Sequence, residues 1–163
     1  MTSRDDFTEE EWTRLKRAPF VAGMAISLAD PGGPIELVKE TAATLKTVTG
    51  AVGNQSRGEL VQAVAAEVSE EAKARKSPIG DFKARGALAG QEILEELSGV
   101  NAIVSAKASP EDADAFRAWL NDAAGEAANA AKEGGFLGFH AQRVSEGEQR
   151  MLDELAGVLG GPA

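Results

Sequence analysis

The sequence predicts an all-α fold, a single-domain bundle of about six helices with short loops. Three observations carry that reading. A hydroxyl followed three residues later by an acid recurs four times as a helix start signal, at Thr8, Ser56, Ser109 and Ser145. Apolar residues recur at steps of three and four through most of the chain, and no alternating run is long enough to build a sheet. At 163 residues one core suffices, so 1–163 is read as one domain, with 1–7 and 160–163 expected to fray.

Each helix follows from local chemistry. Thr8-Glu9-Glu10-Glu11 opens the first, and Pro19 inside it either kinks the helix or divides it in two. Asp30-Pro31-Gly32-Gly33 is turn chemistry, after which Pro34 opens a second helix with Ile35, Val38, Ala42, Leu45 and Val48 as its apolar stripe. Ser56 signals a third over 58–76, with Leu60, Val61, Val64, Val68 and Ala72 on one face. Ser77-Pro78-Ile79-Gly80 is a turn. The steps between Ile93, Leu97, Val100 and Val104 predict one long helix from Asp81 to about Ala106, with Gly99 as its bending point. Ser109 and Pro110 open the next over 110–132, with Phe116, Leu120, Ala123 and Ala127 inward and Gly134 as its stop. Ser145 opens the last over 146–159, with Met151, Leu152, Leu155 and Leu159 apolar.

Composition removes several function classes. A net charge of −9 repels phosphate backbones, so no nucleic-acid partner is expected. The chain has no cysteine, which excludes disulfides, thiolate nucleophiles and cysteine-ligated metal centres and points to a reducing compartment. The first residues are acidic where a secretory signal would be basic, and the apolar stretch from Ala18 to Ala29 falls short of the ~20 residues a membrane span needs. The expectation is a cytoplasmic chain with no membrane span.

Four constellations could carry function. The only histidine, His140, has no nearby hydroxyl free of a capping role and no G-x-S-x-G turn, so a hydrolase built on it is the least favoured reading. Glu-x-x-His pairs of the di-iron bundles are absent. Glu67, Glu70 and Glu71 on one helix and Glu92, Glu95 and Glu96 on the next have face-sharing spacing. Antiparallel packing would gather them around a divalent cation, the alternative being two solvated acidic faces. Lys73, Arg75, Lys76, Lys83 and Arg85 cluster around the intervening turn, either as a docking patch or, for the first three, as complements to a helix C-terminus. Finally, Gly134-Gly135-Phe136-Leu137-Gly138-Phe139-His140 is either a glycine-rich anion cradle or an apolar cover on the open end of the bundle. Neither phosphate-loop spacing is present, and the cover accounts for more of its residues.

The stretch Arg143-Val144-Ser145-Glu146-Gly147-Glu148 and the helix through Leu152, Leu155, Ala156 and Gly160 resemble the second half of the tellurite-resistance TerB-like helical domains. There a loop of the form A-D-G-x-V-x-x-x-E leads into such a helix. Ala29, Asp30, Ile35 and Glu40 form a looser copy, with the acid one residue late. The resemblance implies an all-α fold with internal pseudo-symmetry, metal binding by acidic loops and an association with stress. Ala141 and Gln142 replace the loop aspartate and glycine, and the first loop carries inserted residues. On this basis Asp30 and Glu36 join Glu67, Glu71, Glu92 and Glu96 as candidate metal ligands.

The function expected from these residues is non-enzymatic: contact with a protein partner or self-association. The candidate contacts are Phe136, Leu137, Phe139 and His140 together with the five cations of the basic turn. A carboxylate-rich divalent-cation protein is the alternative.

Overall fold

Six α-helices occur among the described residues: α1 (Glu9–Ala29), α2 (Pro34–Gly50), α3 (Glu59–Lys73), α4 (Ala89–Lys107), α5 (Pro110–Lys132) and α6 (Glu146–Leu159). The computed structural model describes residues 2–29, 34–132 and 144–160, without the side chains of 34–37 and 132. Short 3-10 turns precede α1, α3 and α4, and no strand occurs among the described residues. The all-α bundle predicted by the helical periodicity is therefore present.

α1 and α5 form its centre. Trp12, Leu15, Phe20, Val21, Ala22, Ala25 and Ile26 are all buried on α1, whose second half, from Ala18 to Ile26, is apolar on nearly every side, as a segment surrounded by other helices must be. It packs against α2, α3, α4, α5 and α6, and Pro19 lies within one continuous helix rather than between two. On α5 the buried Ala113, Ala123, Ala124, Ala127 and Ala128 allow close helix approach, while Phe116 and Trp119 stack edge-on with centroids 5.5 Å apart. Among the described residues no helix is long and apolar enough to cross a membrane.

The capping signals hold in three places. The backbone N–H of Glu11 donates to Thr8, and that of Glu148 to Ser145, with the reciprocal carboxylate contact at 2.8 Å and 2.7 Å respectively. Asp112 N–H donates to Ser109. The fourth fails. Ser56 lies in a 3-10 turn over Gln55–Arg57, and α3 begins two residues beyond it, after Gly58 at φ 81. Its cap comes from another helix: Asp112 Oδ1 accepts from Glu59 N–H at 3.0 Å and from Leu60 N–H at 3.4 Å.

Three further expectations are corrected. α4 starts at Ala89, not Asp81, because Gly86 at φ 70 turns the chain before the apolar repeat begins. The buried face of α2 is Glu40, Thr44 and Val48, whereas Val38 is 68% exposed and Ala42 also faces out. Residues 2–7, expected to fray, are tied down: Thr2 accepts from Ser109 N–H at 3.0 Å, and Phe7 is buried 5.7 Å from the Trp12 ring.

Candidate partner-binding surface

The chain between α3 and α4 begins with a tight stop. Arg75 N–H donates to Ala72 O and Lys76 N–H to Glu71 O, the paired bonds of a Schellman motif. The residue that must then turn left-handed is Arg75, at φ 57, where glycine is the usual occupant. Ser77-Pro78-Ile79-Gly80 follows as a hydrogen-bonded turn, with Gly80 N–H donating to Ser77 O at 3.3 Å. Ile79, Phe82 and Ala84 are half-buried against the core, and the Arg17 guanidinium lies 5.2 Å from the Phe82 ring centroid. Arg85 N–H then donates to Glu92 Oε2 at 3.3 Å.

This anchored connection projects charge. Arg75, Lys76, Lys83 and Arg85 are exposed, and among the described residues none is in an ion pair. Lys73 differs, pairing with Glu70 at 2.5 Å. Elsewhere Arg4, Arg14, Lys16, Arg17, Arg57, Lys107 and Arg117 are paired with acids, while the exposed Lys39, Lys46 and Arg150, like the four cations of the connection, are in no ion pair among the described residues. Leu88, 62% exposed, sits at the end of the same connection. Comparison with family models, with curated proteins and with solved structures finds no match.

The carboxylates proposed as metal ligands lie apart. Helices α3 and α4 were expected to pack as neighbours, but each packs on α1, which carries the cations that take up their acids. Lys16 Nζ reaches Glu67 at 2.9 Å and Glu71 at 2.7 Å, and Trp12 Nε1 donates to Glu67 at 2.7 Å. Glu96 receives Arg17 at 2.7 Å and Arg14 at 3.1 Å, while Glu92 accepts the Arg85 N–H. Burial pulls the Lys16 ammonium down, but Glu71 and Glu67 outweigh it and hold it above its usual range. Among the described residues no three metal-ligating side chains come together. Asp30 and the whole Phe136, Leu137, Phe139 and His140 stretch lie outside the described residues, as does the side chain of Glu36 on α2. Glu148, the acid matched to the TerB-like loop, is 4% exposed and closes the Ser145 capping box.

Sequence reasoning missed one site. Between α1 and α2, beneath Ser77, Pro78 and Ile79, lies a cavity of about 330 Å³. Glu40, 4% exposed, lines it beside Ser27 and Thr44. The Ser27 hydroxyl donates to Glu40 Oε2, and Thr44 Oγ1 donates to the Glu40 carbonyl at 3.0 Å. The signal was spacing: Gly23 and Ser27, small residues one helical turn apart on α1, answer Glu40 and Thr44 at the same step on α2.

Proposed function

We propose that this protein is a binding module that docks an acidic segment of a protein partner on the connection between α3 and α4. The supporting observation is the set of four exposed cations, Arg75, Lys76, Lys83 and Arg85, with no ion pair among the described residues of a protein of net charge −9. Such a patch steers an oppositely charged partner while the rest of the surface repels nucleic acid. Leu88 offers an apolar contact beside the charges, and Ile79 and Phe82 hold the backbone beneath them in place. The left-handed Arg75 points the same way, since strain that glycine would relieve is retained where the side chain has a use.

The test titrates the protein with a labelled peptide of alternating Glu and Leu, and in parallel with a single-stranded oligonucleotide of equal length. The peptide is expected to bind, more weakly as salt rises, and K76E/K83E should lose about tenfold or more in affinity at low salt. Its melting temperature should fall only slightly, because both side chains are exposed and unpaired among the described residues and Lys76 adds no more than a weak complement to the end of α3. Arg75→Gly should raise stability by about 0.5–1 kcal/mol while weakening docking. Equal peptide affinity for wild type and K76E/K83E, or binding of the oligonucleotide alone, would overturn the reading.

A further inference from the structure

We infer that the groove between α2 and α5 is a binding site for a small zwitterion of the size of a di- or tripeptide, its carboxylate at Lys46 and its ammonium at Glu126. The inference does not rest on the docking surface. The groove, of about 600 Å³, is lined by one face of each helix, positions 43, 46, 47 and 50 on α2 and 122, 126, 129 and 130 on α5, the three- and four-residue steps that bring side chains to one side. Its charges are sorted by wall. The cations, Lys46 and Arg57, come from α2 and the turn after it, and the acids, Asp122 and Glu126, come from α5. One pair is closed, Arg57 being bonded to Asp122. The other is open: Lys46 and Glu126 line the same groove, both exposed, and neither charged end is in an ion pair or a hydrogen bond among the described residues.

This arrangement selects the ligand by its charges. An anion that reaches Lys46 faces the acids of α5, and a cation that reaches Glu126 faces Lys46 and Arg57, so a group of single charge gains at one wall and loses at the other. A molecule bearing both charges satisfies both walls and bridges the gap that the Lys46 and Glu126 side chains leave. Beside Lys46, Thr47 donates its hydroxyl proton to the Ala43 carbonyl at 3.1 Å, so its oxygen keeps lone pairs for an ammonium or peptide N–H. Long side chains do not obstruct the middle of the groove: Ala43 and Ala130 are small, and a Cβ added at Gly50 would meet nothing within 4 Å. A volume of about 600 Å³ falls within the range of small-molecule sites and leaves room for two or three residues of peptide.

The experiment compares trialanine, which carries both charges, with N-acetyl-trialanine, which keeps only the carboxylate, and trialanine amide, which keeps only the ammonium, following the methyl NMR signals of Ala43, Thr47 and Ala130 at low salt. Trialanine is expected to move these signals and to bind about threefold or more tighter than either blocked form, the worth of one ion pair open to solvent. The comparison is demanding, because a net charge of −9 favours the cationic amide over the rest of the surface. Lys46→Gln should remove the penalty for amidation and leave that for acetylation, and Glu126→Gln should do the reverse. Both positions are exposed, so the melts of the two variants should stay close to wild type. Equal wild-type affinity for the three probes overturns the inference, as does a preference for either blocked form or a set of groove signals that none of the three moves. So does a ranking of the probes that neither substitution changes, or one that both change alike.

Discussion

The Asp112 carboxylate takes the first two N–H groups of α3 while sitting in the first turn of α5, where its own N–H is held by Ser109. Burial pushes its carboxyl up, but hydrogen bonding from Thr2, Leu60, Ser109 and Glu59 prevails and holds it below the usual aspartate value of 3.8. A carboxylate depressed in the folded state contributes stability above that ordinary value and loses it as pH falls through the lower folded one. Asp112→Ala should therefore cost about 1–2 kcal/mol at neutral pH, the worth of a helix cap. Urea unfolding of both proteins should show the gap narrowing as pH falls below the ordinary aspartate value; a constant gap would mean the charge is not its source. No sequence signal pointed to this cap. Ser56 had the right spacing, but Gly58 in a left-handed turn left the true helix start facing a residue 53 positions away.

Two glycines that look alike in sequence behave differently in their helices. At Gly23 on α1 an added Cβ would lie 2.7 Å from Thr44 Oγ1, whose stiff β-branched side chain is 1% exposed. At Gly99 on α4 it would meet only the guanidinium of Arg14, the far end of a flexible chain. Gly23→Ala is expected to destabilise by about 1–3 kcal/mol through overpacking. Gly99→Ala should be neutral or stabilising, because about 1 kcal/mol of helix propensity offsets the partial loss of one ion pair. Thermal melts of the two variants decide this, and equal losses would contradict it. At this scale the sequence was most legible where a helix states its own start, as α5 and α6 do. It was least legible on α2, because hydrophobicity favours Val38 over Glu40, and the Ser27 hydroxyl that donates to the buried acid comes from another helix.

Across the whole molecule the acidic faces of α3 and α4 were visible in sequence as faces but not as partners of α1. Spacing along one helix says nothing about which neighbour intervenes, so Glu67, Glu71 and Glu96 were open to a metal site or to solvated faces, and neither reading included their pairing with Lys16, Arg14 and Arg17. The basic connection was legible as charge, and its anchoring through Phe82 and Ile79 was not. Because α1 stands between α3 and α4, the most extensive helix pairings, α2 with α5, α1 with α5 and α1 with α4, all join residues before Gly80 to residues after it. Neither portion encloses a core of its own. A backbone cut at the exposed Gly80 should therefore leave two fragments that travel together on a sizing column and refold only when mixed; independent folding of either would contradict this. The 74–88 connection is thus a tether between two interlocked parts, and the protein is in effect a heterodimer written as one chain.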